Sequence, residues 1–322
     1  MNRNVLPKRV VAATALAALA LAGCSKNSDA GGSGANGGGK LSGSVVSDGS
    51  STVAPLTAAA QSIFNEQQAD VKVTVGTSGT GGGFEKFCKK ETDISNASRP
   101  IKDKEKAACD AAGVKYTELQ VANDALTVVV SKENNWVDCL TADQLKKIWE
   151  PGSKVNSWNQ VDPKFPAEPL KLFGPGTDSG TFDYFTAEIN GEEGKSRTDY
   201  TPSENDNLLV QGVAGTKGGL GYFGFSYFEE NADKLKALKI DGGDGCVAPS
   251  LDTASNGSYK PLARPLFVYV NNKSLTDKPQ VKGFVEFYAQ NIDEIIKEAK
   301  FVPLNAEQKT KLTSAVETAK QG

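Results

Sequence analysis

Histidine is absent from all 322 residues of this chain. That absence excludes a Ser-His-Asp triad and removes the commonest neutral metal ligand. Cysteine is scarce too: there are five, none in a Cys-x-x-Cys pair, so a thiolate metal site is disfavoured. An aspartic protease needs two Asp-Ser/Thr-Gly strings whose carboxylates share a proton, and only Asp178-Ser179-Gly180 occurs. A Ser-Lys dyad at Ser179 lacks a dedicated lysine. Excess positive charge is missing as well. The net charge is −3, and without residues 1–23, which carry three cations and no acid, 33 Lys and Arg face 39 Asp and Glu. A chain of that balance is a poor nucleic-acid binder. The reading is of a protein that is not an enzyme and needs no metal or cofactor.

What is present begins with an export signal. Arg3, Lys8 and Arg9 precede a short apolar run over 10–23, as in a secretory signal peptide, and the run is too short to span a membrane in the mature chain. It ends in Leu21-Ala22-Gly23-Cys24, which resembles a bacterial lipobox. Residues 1–23 are expected to be removed and Cys24 to carry lipid. Residues 24–40 are mostly Gly, Ser, Ala and Asn with little that is apolar, and are expected to form a flexible tether. Gly34, Gly39 and Lys40 mimic a phosphate-loop spacing, but Leu41 replaces the needed Ser or Thr and the string lies in the tether. An oxidising compartment makes disulfides of the other four cysteines. Three pairings exist, and Cys88–Cys109 with Cys139–Cys246 is favoured because the first two lie in one local segment.

From residue 43 onward strand and helix patterns alternate. Strands are expected at 44–47, 71–75, 126–131, 170–173, 220–227 and 266–270; 126–131, a β-branched run, suits a buried parallel strand. Helices are expected at 52–68, from Thr141 to Trp149, at 274–290 and at 305–320, with capping-box signals at Thr141/Gln144 and Asn305/Gln308. Such alternation implies an α/β fold with mainly parallel sheets. The aromatics Trp136, Trp149, Trp158 and the 222–228 cluster read as core.

Four polar, glycine-rich loops follow strands: Asp48-Gly49-Ser50-Ser51-Thr52, the 76–83 stretch, Ser95-Asn96-Ala97-Ser98-Arg99-Pro100, and 176–181. Three of them open helices, where hydroxyls and backbone N–H groups favour an anion. Arg99 adds a planar cation able to bond two oxygens. Alone, each loop would be an ordinary helix cap; four together point to an oxyanion.

These loops resemble those of the phosphate-binding lipoproteins (PstS family) of bacterial phosphate ABC transporters. The matching pieces are Asp48 to Val53, Gly79-Thr80-Gly81-Gly82-Gly83-Phe84, Ile94 to Pro100, Thr177 to Thr181, Val210-Gln211-Gly212-Val213 and Gly219-Leu220-Gly221-Tyr222. The resemblance implies a two-lobed periplasmic-binding-protein fold of class II type, each lobe a mostly parallel sheet flanked by helices. Two hinge crossings, near 121–126 and 262–266, would join lobe I (41–122 plus 266–322) to lobe II (123–265). It further implies a monomer, lipid-anchored to the outer face of the bacterial cytoplasmic membrane, that delivers inorganic phosphate to permease subunits. Another tetrahedral oxyanion (sulfate, molybdate, tungstate) is the alternative ligand, and a surface hydrolase the rival from another class. The implied phosphate site is Ser50, Ser51, Thr52, Thr80, Gly81, Ser98 and Arg99 from lobe I, with Asp178, Ser179, Gly180 and Thr181 from lobe II. One branch of the family carries its cation just before the second-lobe Ser-Gly-Thr and an Asp after Ala-Ser; here Pro175 stands near the first place and Arg99 at the second. Asp178 is therefore the expected acceptor for the phosphate proton, with Asp48, Asp124 and Asp206 in reserve as turn or capping carboxylates.

Overall fold

The computed structural model describes residues 40–320. The expected signal peptide, the expected lipid site Cys24 and the expected tether up to Gly39 lie outside the described residues. Among the described residues there are twelve strands: β1 (Gly43–Gly49), β2 (Val71–Val75), β3 (Ile94–Ala97), β4 (Tyr116–Ser131), β5 (Cys139–Thr141), β6 (Lys171–Gly174), β7 (Thr201–Pro202), β8 (Gly219–Gly224), β9 (Leu235–Ala237), β10 (Lys239–Asp241), β11 (Cys246–Val247) and β12 (Ala263–Asn271). The main sheet runs β2-β1-β3-β12-β4-β8-β6-β7, with β9 also on β4, and a small sheet runs β11-β10-β5.

Two parallel groups, β2-β1-β3 and β8-β6-β7, flank an antiparallel centre made by β12 and β4. Here the structure corrects one expectation. The 126–131 run is not a parallel strand: it is the second half of the 16-residue β4 and pairs antiparallel with β8 and β9. Burial on both faces gives the same continuous apolar run whichever way the neighbours point, so composition could not separate the two cases. β4 is far longer than the usual five or six residues because it serves two cores. Its first half and β12 help enclose one around Val45, Leu56, Phe64, Ile94 and Phe284; its second half helps enclose another around Trp149, Trp158, Phe185, Tyr222 and Tyr259. The β12–β4 register slips by one residue between Leu266 and Phe267, a local irregularity where strands bend.

Local chemistry explains the remaining boundaries. The expected 274–290 helix is two, Asn272–Asp277 and Pro279–Gln290, because a proline has no N–H to continue a helix and suits its first position. The 220–227 stretch is strand only as far as Gly224, then becomes the helix Phe225–Glu230. Thr141 and Asn305 form the expected capping boxes. Trp149 and Trp158 are fully buried, and Trp136 packs at the margin of their core. In that core the rings of Phe185 and Tyr222 stack at 3.8 Å. Disulfides join Cys88 to Cys109 and Cys139 to Cys246, the second bridging β5 and β11. No helix among the described residues is long and apolar enough to cross a membrane.

Candidate functional site

Each polar loop lies beyond the C-terminal end of a strand in a parallel group: Ser50–Thr52 after β1, the 76–80 stretch after β2, Ser98–Pro100 after β3, and the 175–179 stretch after β6. That end of an α/β sheet is where ligands bind. The helix Gly79–Cys88 has no side-chain cap, so its first N–H groups are left to whatever sits before them, whereas in Ala54–Gln67, which also lacks a side-chain cap, Ala54 N donates to Ser50 O and Leu56 N and Thr57 N to Val53 O.

Asp48 builds the first two loops. It accepts from Gly49 N at 2.7 Å, Ser78 N at 2.9 Å and Ser78 Oγ at 2.8 Å, and pairs with Lys86. Burial works to raise its pKa, but Lys86 and these donors outweigh it and hold the carboxyl at about 2. Gly49 takes φ +138° with Asn96 O pressed against it, a close approach only glycine allows. Ser50 is buried in the same turn: its N donates to Asn96 O at 2.9 Å and its O accepts from Ala54 N at 3.0 Å. Ser51 and Thr52, half-buried, follow it.

The expected residues fall into two groups. In one, Ser98 N donates to Thr80 Oγ1 at 3.2 Å and the two hydroxyls are 3.1 Å apart. Arg99 lies beside them, a methyl at Gly81 coming 3.9 Å from its Nη2. Its guanidinium makes a two-point pair with Glu105, at 2.9 and 2.8 Å. Burial tends to raise Glu105, yet Arg99 and the Lys102 N–H bring it below the usual carboxylate range.

In the other group Thr52 meets Gly180, 128 residues away: Thr52 Oγ1 lies 3.5 Å from Gly180 O. A methyl at Gly180 would come within 2.5 Å of Thr52 Oγ1, so glycine permits the approach. Ser179 caps its own helix, accepting from Thr181 N at 3.2 Å. Asp178 is exposed, and its N faces Glu204 Oε1 at 3.4 Å.

Sequence reasoning missed Arg264. From β12 its Nε donates to Asp124 Oδ2 at 3.2 Å and its Nη2 to Thr52 Oγ1 at 3.1 Å. Asp124, on β4, is only 6% exposed; burial pushes its pKa up and Arg264 pulls it back only in part. The available signal was a lone arginine inside an otherwise apolar strand, where an unpaired charge is not tolerated. Beside Asp124 and Thr181 opens a cavity of about 560 Å³, also lined by Asp206, Tyr227 and Lys300. Burial first, then Glu204, push Asp206 up to about 6 against the pull of Lys300. Among the described residues, no cluster of three or more His, Cys, Asp or Glu could hold a metal ion.

Comparison with known proteins meets this geometry. Residues 34–291 match the model of the PBP superfamily domain. Phosphate-binding protein PstS of Staphylococcus saprophyticus is 40% identical over 282 residues, 86% of either chain. The chain belongs to the PstS family of binding proteins, within the PBP superfamily. Protein SphX of Synechococcus elongatus is 49% identical over 86% of this chain and 82% of its own. A crystal structure described as a possible phosphate binding protein from Planctomyces limnophilus superposes with a TM-score of 0.83 at 47% identity, covering 87% of this chain and 99% of that one. In this PstS-family chain the β4–β12 centre and the loops around it form the periplasmic-binding-protein fold.

Proposed function

We propose that this chain captures inorganic phosphate between two lobes outside the cytoplasmic membrane and delivers it to an ABC permease, as a binding protein and not an enzyme. The observation that carries the reading is the meeting of Thr52 with Gly180: loops rooted in two different cores close on one point, bringing hydroxyls, helix N-termini and a nearby arginine. The names and phosphate descriptions of its relatives support phosphate as the anion. The lobes are 41–122 plus 266–322 and 123–265, a division supported by the two separate cores. Ser50, Ser51, Thr52, Thr80, Gly81, Ser98 and Arg99 serve the anion from one lobe, and Asp178, Ser179, Gly180 and Thr181 from the other. A ligand touching both lobes favours the closed form by its differential contacts. After removal of 1–23, a lipid on Cys24 and the 24–40 tether hold a monomer at the outer membrane face.

Calorimetric titration of the purified protein with phosphate, sulfate, molybdate and tungstate tests this. Saturable 1:1 phosphate binding with no sulfate binding is expected; preference for sulfate, molybdate or tungstate would overturn it. At neutral pH phosphate retains a proton and sulfate does not, so a carboxylate acceptor discriminates between them. Asp178 takes that role once the lobes close on ligand. Asp178→Asn is expected to narrow the preference for phosphate, and an unchanged preference removes Asp178 from the role.

A further inference from the structure

Three segments distant in sequence meet at Arg264. Besides Asp124 on β4 and Thr52 before the helix Ala54–Gln67, its guanidinium lies 3.6 Å from the ring centre of Tyr184, in the helix that Gly180 opens. Tyr184 is itself fixed, its hydroxyl donating to Pro261 O at 2.7 Å. An arginine fork held on three sides has little freedom left to reorient.

A threonine hydroxyl has one proton and two lone pairs. Where Arg264 Nη2 fills a lone pair of Thr52 Oγ1, the O–H must point elsewhere. Its acceptor is Gly180 O at 3.5 Å, the outer limit of a hydrogen bond and readily exchanged for a better one. We infer that Arg264 is a positioning residue of the anion site: it fixes the Thr52 hydroxyl as a donor aimed across the cleft, so that a phosphate oxygen replaces the Gly180 carbonyl as its acceptor. Asp124 neutralises Arg264, so the pair contributes direction and not net charge. Arg99 is likewise matched by Glu105. The anion is then held chiefly by oriented dipoles, which suits a chain whose overall charge is negative.

This inference rests on the phosphate reading, and its test separates the two. Dissociation constants for phosphate are measured by calorimetry on the unmodified protein, Arg264→Gln, Thr52→Val and the double variant. Each single change is expected to weaken binding about 10- to 100-fold, the range for a hydrogen bond to a charged group. The double variant is expected to bind no worse than the weaker single, because both changes remove the same donor. Thr52→Ser, which keeps the hydroxyl, should stay near the unmodified affinity, and Arg264→Lys, which lacks the fork, should not. Multiplying effects in the double variant, full rescue by Arg264→Lys, or unchanged affinity in Thr52→Val would each overturn the inference. Thr52→Val leaves the Arg264–Asp124 pair intact, so it decides the matter even if Arg264→Gln fails to fold. If the unmodified protein does not bind phosphate, the functional reading fails; if it binds and Thr52→Val binds equally well, only this inference fails.

Discussion

Two arginine–carboxylate pairs sit in two regions of this molecule and are built differently. Arg99 pairs with Glu105 six residues later, on a loop and the helix that follows it, with the arginine side chain 29% exposed. Arg264 pairs with Asp124 across 140 residues at the crossing of β4 and β12, where the two side chains are 17% and 8% exposed. The first pair is local, and its arginine reaches solvent while Glu105 is only 9% exposed, so Arg99 can rehydrate if Glu105 is lost but Glu105 cannot if Arg99 is lost. The second lies in the two strands that both cores share, where a lost partner leaves a charge with little water to turn to. Loss of the loop carboxylate is therefore expected to cost modestly, whereas charge at the crossing is tied to the integrity of the fold.

The largest expected effect tests that contrast directly. Asp124→Ala should destabilise the protein by about 3 kcal/mol or more in urea unfolding, as for a broken buried ion pair. Glu105→Ala should cost about 1–2 kcal/mol, since Arg99 reaches solvent. Equal losses would erase the distinction between the regions. Next in size, Arg99→Ala should weaken phosphate binding by at least about 2 kcal/mol, and should also lower the unfolding midpoint, because it leaves Glu105 without its partner. A phosphate dissociation constant close to that of the unmodified protein would mean that the loop arginine serves only its own turn.

The smallest effect is read in acid. Asp48 has a folded pKa of about 2 against an ordinary 3.8, so its contribution is fully present above about pH 4 and is lost as pH falls toward 2. Asp48→Asn should flatten the stability–pH curve in that window by about 1–2 kcal/mol, allowing for partial solvent access. Asp124 carries the opposite sign: with its pKa raised, its contribution is lost as pH rises through the folded value, not as pH falls. The loop region should thus loosen first on acidification, and a curve unaltered by Asp48→Asn would show that the loops are held by other contacts.

Much of the candidate site was legible because it is made of local signals. Ser50 to Thr52, Thr80, Ser98 and Ser179 to Thr181 are short polar strings placed just after apolar strands, and a strand-loop-helix grammar is written within a dozen residues. The hydrogen bond from Ser98 N to Thr80 Oγ1 and the Ser179 cap follow from the same short-range chemistry. Strand direction was not legible: β4 looks the same with parallel or antiparallel neighbours, since burial on both faces selects the same β-branched residues. Nor is the break at Pro279 visible in the hydrophobic period, which runs on through it.

By itself, the sequence determined that a Ser-His-Asp triad and a paired Asp-Ser/Thr-Gly dyad are missing, and which loops carry polar chemistry. Missing histidine and a missing second Asp-Ser/Thr-Gly depend on no geometry, and hydroxyl-and-glycine strings before helices depend on only a few adjacent residues. Only the tertiary structure decided which of those loops meet and which charges stand behind them. Thr52 reaches Gly180 across 128 residues, and Arg264 reaches Thr52 across 212 and Asp124 across 140. Contacts at such separations are fixed by how two cores share β4 and β12. No local pattern encodes that, because the penalty for an unpaired Arg264 arises only once the surrounding chain has excluded water from it.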